Sequence, residues 1–197
     1  MPIVHGDIRA ANIRIDTELH RSILELPYEH WTHHASTTYH VTHNDIARHL
    51  APEQLYRPSS WSESISKSTD VYSLAMTLLE LMTDAAPFAD VASAQDVISA
   101  VQHGLRPLIP AETVERMFRS SRHEHQVSDS PDTTFENAEI ISTVSTSRKA
   151  NMPLHDAIKS LNGLLAMMWA QLPEQRPAAH QVESRFEELA RLEEEIV

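Results

Sequence analysis

Between Ser68 and Thr83 the chain reads STDVYSLAMTLLELMT, and its polar residues Asp70, Ser73, Thr77 and Glu80 recur at helical spacing as one narrow stripe. The remainder of the segment is largely apolar. A helix apolar around most of its girth cannot lie on a surface with one face in water, so the pattern predicts a helix running through the middle of the domain. Ser68 or Thr69 can cap its start, and Asp70 falls in the first turn, where free amides favour a carboxylate. From this window alone Asp70 reads equally as a partner of the helix dipole or as a group with a further task.

A core helix needs enough chain to wrap it. With 197 residues, 41% of them hydrophobic, the chain can bury one core and is expected to form a single domain. It contains no cysteine, which excludes a disulfide framework and any thiolate metal site and fits a reducing compartment. The stretch from Leu161 to Leu172 is too short for a membrane span and is interrupted by Asn162 and Gln171. The opening MPIVHGDIRA lacks a basic region followed by a long apolar run, so no secretory leader is expected. A net charge of −12 argues against a nucleic-acid surface. Only three glycines occur, Gly6, Gly104 and Gly163, too far apart to form a phosphate-cradling loop.

Two short strands, IRID (Ile13 to Asp16) and SILEL (Ser22 to Leu26), follow HGDIRAAN (His5 to Asn12) and predict a hairpin that sets the loop before it beside the loop after it. Further on, SAQDVISAVQHG predicts a helix with Ala94, Val97, Ile98 and Val101 on one face, Ser93 as its cap and Gly104 just past its end. The region from about Arg119 to Met152 turns to Ser, Thr, Asp and His without a period and is expected to be a largely disordered insert. Apolar spacing resumes over Leu154 to Trp169. A last helix, Ala178 to Ile196, should bury Val182, Phe186, Leu189 and Leu192 and carry Glu187 and Arg191 as an exposed pair.

In order and separation, HGDIRAAN, HLAPEQL (His49 to Leu55), DVYSLAMTLLEL (Asp70 to Leu81) and MMWAQLPEQRP (Met167 to Pro177) resemble the second half of a protein kinase domain, nearest to the tyrosine-kinase-like group and related fungal sequences. The resemblance covers about four fifths of the chain. It implies a mainly α fold, the C-terminal helical lobe of a kinase with a short β-hairpin by the catalytic loop, spanning residues 1–197 as a partial domain that starts at that loop, with the small lobe absent. It also implies a transferase using ATP and Mg2+ on a protein substrate, intracellular and cytoplasmic.

Carried over residue by residue, Asp7 matches the base that accepts the substrate hydroxyl proton and Asn12 the metal-binding Asn. Arg9 stands where a Lys usually steadies the transferring phosphate; it keeps the charge but not the shape. His5 matches the His packed under the active site, Asp70 the anchor of the catalytic-loop backbone, and Glu53 of APE the partner of Arg176 in PEQRP. Gly6 replaces the Arg that receives an activation-loop phosphate, so regulation by that route is not expected. Counting without gaps from Asn12, the family's Asp-Phe-Gly triplet falls on Glu25, Leu26 and Pro27. Glu25 can still hold a hard cation, but its extra methylene moves the oxygens and Pro27 removes a flexible Gly. Arg14 stands where the family has an apolar floor under adenine, and a guanidinium there is costly to bury without a partner.

These departures predict weak nucleotide affinity, and because phosphoryl transfer depends on parts of both lobes the chain as given is expected to be inactive. Three readings stay open: a fragment of a kinase whose other half lies upstream, a pseudokinase remnant that works by binding other proteins or itself, and a histidine-based metal protein. The last would use His30, His33 and His34 among the histidines between Tyr28 and His49, although that stretch has no helical period.

Overall fold

The computed structural model describes residues 3–26, 44–56, 64–110, 112–113 and 147–196. In chain order these form the strands β1 (Ile13–Asp16) and β2 (Arg21–Leu24) and the helices α1 (Asn44–Ala47), α2 (Pro52–Leu55), α3 (Lys67–Thr83), α4 (Ala94–Gln102), α5 (Ser147–Met168) and α6 (Ala179–Ile196). The described fold is thus mainly helical with one two-stranded antiparallel sheet. Among the described residues no helix is long and apolar enough to cross a membrane.

The central helix is α3, and its cap lies two residues before Ser68 and three before Thr69, the residues expected to cap it. Ser66 is the cap: its Oγ accepts from Thr69 N at 3.2 Å while Thr69 Oγ1 accepts from Ser66 N at 2.8 Å. This reciprocal box puts Ser68 and Thr69 inside the first turn and fixes the entry of the chain. Asp84, in the left-handed region at φ 52°, ends the helix.

Val71, Tyr72, Ala75, Met76 and Leu79 of α3 are buried against Val97, Ile98 and Val101 of α4, Leu161, Leu164, Leu165 and Met168 of α5, and Val182 and Leu189 of α6. Phe186 is partly buried against the same core, and Glu187 and Arg191 form an exposed pair at 3.7 Å. One stripe of α3 is less covered: Leu74 and Leu78 are half-buried and Leu81 is exposed. That pattern places α3 at the centre without covering it on every side.

On α4, Ser93 Oγ accepts from Asp96 N at 3.1 Å, and Gly104 at φ 80° turns the chain so that Leu105 N reaches Ala100 O at 2.9 Å. Glycine is favoured there because a Cβ is strained at positive φ. α5 begins at Ser147, so residues 147–152, expected within the insert, are helical. The rest of that insert, 119–146, lies outside the described residues, as do His30, His33, His34, His40 and His43.

The hairpin pairs Ile13 with Leu24, Arg14 with Ile23, Ile15 with Ser22 and Asp16 with Arg21. Asp16 Oδ1 accepts from the amides of Glu18 and Leu19 and closes the turn. Strand β2 is two residues shorter at its end than the spacing predicts. Its continuation, Glu25, still bonds through its N–H to Asn12 O at 2.8 Å, which ties both ends of the hairpin to one place.

Candidate active site

Residues 5–12 form a loop whose shape is set from below by α3. Asp70, in the first turn of α3, receives His5 N on Oδ2 at 2.7 Å and Gly6 N on Oδ1 at 2.8 Å. Burial pushes the Asp70 carboxyl above its ordinary value of 3.8, against the two backbone donors that pull it down. The dipole-partner reading of Asp70 is therefore incomplete, because each of its oxygens holds a loop amide. Gly6 sits at φ 80°, which brings consecutive amides to bear on one carboxylate.

Three further groups of the same stripe hold chain as well. Thr77 Oγ1 donates to Ile8 O at 3.1 Å in one contact and to Ser73 O at 2.8 Å in the other, Ser73 Oγ donates to His49 O at 2.8 Å, and Glu80 Oε2 lies 3.0 Å from His49 Nε2. The sequence displayed this stripe by its spacing. Which segments it would grip was not readable, because most of the gripped atoms are backbone groups that any residue carries.

Within the loop, Asn12 Nδ2 donates to Asp7 O at 2.7 Å and to Asp7 Oδ2 at 2.8 Å. Arg9 Nε lies 3.0 Å from Asp7 Oδ1 without a directed hydrogen bond, so that contact is mainly electrostatic. Asp7 N donates to His5 Nδ1 at 3.2 Å, which makes Nδ1 an acceptor and leaves Nε2–H to donate to Glu25 O at 2.9 Å. His5, Asp7, Arg9 and Asn12 thus form one bonded cluster, with Asp7 buried and its carboxylate oriented from two sides.

Glu25 joins the cluster through its backbone, while its side chain is held elsewhere. Its carboxylate lies 3.0 Å from Arg14 Nη1, and both side chains are at least half exposed. Arg14 is therefore neither buried nor unpartnered, contrary to the expectation for a residue lining an adenine floor. The hairpin stands with both faces open, as exposed Ile15 and Leu24 on one face and exposed Arg14 on the other show.

A divalent cation needs oxygens free to turn toward it. Asn12, with its amide nitrogen committed to Asp7, can offer Oδ1, but the Glu25 carboxylate already holds a guanidinium. Among the described residues no group of three or more His, Cys, Asp or Glu is placed to hold a metal ion. As arranged here, the residues do not fit a magnesium centre.

The expected long-range pair is present. Arg176 Nη1 donates to Glu53 Oε1 at 2.6 Å and Nη2 to Oε2 at 2.7 Å, a two-pronged bond between α2 and the loop after α5. The other guanidinium hydrogens go to Ser68 O at 3.0 Å, Ala170 O at 2.9 Å and Gln171 O at 3.4 Å. The guanidinium also stacks on Tyr72, 5.1 Å from the ring centre, with Arg106 at 5.3 Å. The Tyr72 hydroxyl is buried without a hydrogen-bond partner among the described residues, and burial pushes its pKa up.

Residues 1–126 match the family model described as protein tyrosine and serine/threonine kinase. Among curated proteins, the receptor-interacting serine/threonine-protein kinase 2 of Bos taurus is 26% identical over 110 residues, covering 54% of this chain and 20% of that protein. The serine/threonine-protein kinase STY46 of Arabidopsis thaliana is 28% identical over 138 residues, covering 66% of this chain and 22% of its own length. A probable serine/threonine-protein kinase of Dictyostelium discoideum is 31% identical over 108 residues, 55% of this chain and 8% of its own. The matches therefore span 8% to 22% of the length of these relatives.

Proposed function

The chain belongs to the protein tyrosine and serine/threonine kinase family, and from that premise we propose that it is the large-lobe part of a kinase catalytic domain, built for phosphoryl transfer from ATP to protein hydroxyls but inactive as it stands. The observation that carries the inactivity is the ion pair between Glu25 and Arg14. It ties up the carboxylate that matches the family's metal position, so in this reading the cation has lost a ligand. Phosphoryl transfer relies on positioning and charge stabilisation, so a displaced charge is not a minor loss.

In this reading Asp7 is the inherited base, oriented by Asn12 and Arg9, and Arg9 supplies the positive charge beside it. His5 and Asp70 hold the loop, and Glu53 with Arg176 braces the lobe behind it. The lobe assignment is supported by these loop and brace contacts occurring together around one central helix. Residues 1–197 form one partial domain in this reading, with the insert over 119–152 reduced at its end by α5.

Titration of ATP with magnesium against the melting temperature of the chain tests the proposal, alongside transfer of labelled phosphate to a generic protein substrate. Neither stabilisation nor transfer is expected. Saturable stabilisation at micromolar ATP, or transfer abolished by Asp7→Asn, would overturn it.

A second reading, a remnant that works by binding other proteins or a copy of itself, is favoured by the stripe of Leu74, Leu78 and exposed Leu81. Light scattering with Leu81→Glu tests it. A monomer that is unchanged by the substitution would count against that reading.

A further inference from the structure

Directly opposite residues of an antiparallel pair alternate between those that exchange N–H···O bonds and those whose backbone groups point away from the partner strand. Glu25 N bonds to Asn12 O, directly opposite it in the register of the hairpin, so the bonded pairs are Asn12 with Glu25, Arg14 with Ile23 and Asp16 with Arg21. The N–H and C=O groups of Ile13 and Ile15 on β1, and of Ser22 and Leu24 on β2, therefore point outward. On β1 the Ile13 N–H is already given to Ala10 O. On β2 nothing among the described residues answers the outward groups of Ser22 and Leu24, and Arg21, Ser22, Leu24 and Glu25 are all exposed.

We propose that this outer edge of β2 is a self-recognition surface, through which two copies of the chain join residues 21–25 antiparallel about Ile23 and continue one sheet into the other. Ser22 of each copy then lies opposite Leu24 of the other, and both outward N–H groups meet outward carbonyls. Ile23 falls opposite itself and Arg21 opposite Glu25, in the pairs that bring side chains closest. Within one chain Arg21 lies 3.5 Å from Asp16 and Glu25 lies 3.0 Å from Arg14. Joining the edges extends these into a row of alternating sign: Asp16, Arg21, then Glu25 and Arg14 of the second copy.

Charge also decides between the two edges. Laid antiparallel about its own centre, β1 would set Arg14 against Arg14, a like-charge pair. Charged residues on a strand edge ordinarily discourage pairing. On β2 their opposite signs, placed symmetrically about Ile23, discourage other strands and admit a second copy of the same one. So short an edge makes a weak association that depends on concentration. It uses neither the nucleotide site nor exposed Leu81, so it stands or fails separately from both readings given above.

The test is sedimentation of the full chain from about 10 μM to about 1 mM, compared with Arg21→Glu and Glu25→Arg. The parent should pass from monomer to dimer over this range. Each variant alone sets like charges opposite each other twice and should weaken the dimer about tenfold or more. An equal mixture of the two variants again sets opposite charges across the edge and should recover the parent's association. The exposed pairs within each hairpin cost little when broken, so the mixture reads the edge and not the fold. A parent that stays monomeric, a dimer indifferent to Arg21→Glu, or a mixture no tighter than its components would overturn the proposal. Should the variants fail to fold, amide exchange in the parent decides. The amides of Ser22 and Leu24 should slow with concentration while that of Ile15, on the other edge, does not, and exchange at Ser22 and Leu24 that ignores concentration would overturn the pairing.

Discussion

Replacing Arg176 with alanine tests the brace behind the loop most severely. The guanidinium is fully buried and makes two short bonds to Glu53 together with bonds to Ser68 O and Ala170 O. Truncation leaves those carbonyls and one carboxylate without their donor. Breaking a buried pair by removing one partner costs about 3 to 5 kcal/mol. The Glu53 side chain is 26% exposed and can be partly rehydrated, which points to the lower part of that range, about 3 to 4 kcal/mol.

For a chain of this size that loss lowers the melting temperature by about 6 to 16 °C. Urea unfolding followed by circular dichroism gives the same quantity independently. Glu53→Gln, which keeps one acceptor, should cost about 1 to 2 kcal/mol, and the double variant should cost less than the sum. A loss below about 1 kcal/mol for Arg176→Ala would show that water replaces the guanidinium freely and that the brace is not a stabilising element.

Tyr72→Phe removes a buried hydroxyl that has no partner, so it should leave stability unchanged or raise it by up to about 1 kcal/mol in urea unfolding, and a clear loss would reveal a hidden bond. Gly6→Ala forces a side chain into φ 80° and should cost about 1 to 2 kcal/mol, with faster amide exchange at His5 and at residue 6 itself. The raised Asp70 titration means that its own contribution is complete below 3.8 and is lost as the pH rises through the folded value. Unfolding free energies measured through the acid range should therefore rise more steeply with pH in Asp70→Asn than in the parent chain, and an equal slope would contradict the assignment.

The parts legible in the sequence were those written in side chains. The apolar girth of α3 and the Ser93 cap could be read from spacing and residue type, and Glu53 and Arg176, each inside a short motif, could be paired across the chain because the resemblance to kinases implies that pair. The cap of α3 was misplaced by two to three residues because Ser66, Ser68 and Thr69 are all competent, and only the reciprocal bonds between Ser66 and Thr69 choose among them. Arg14 was misread because a two-stranded sheet with both faces open leaves its guanidinium in water, beside Glu25. The start of α5 was hidden for another reason: Pro153, with no N–H to give, reads as a break in a helix interior, and the helix runs through it nonetheless.

The contacts that hold the loop also set an order of events during synthesis. His5 is made 65 residues before Asp70, and Glu53 is made 123 residues before Arg176. At about 5 to 20 residues per second, the first gap lasts about 3 to 13 seconds and the second about 6 to 25 seconds. Until α3 has left the ribosome, the HGDIRAAN segment has no carboxylate to gather its amides, and the helix that opens at Pro52 waits longer still for its counter-charge. A nascent chain stalled after the whole of α3 has emerged but before Arg176 is made should then protect the loop amides while leaving Glu53 open to solvent.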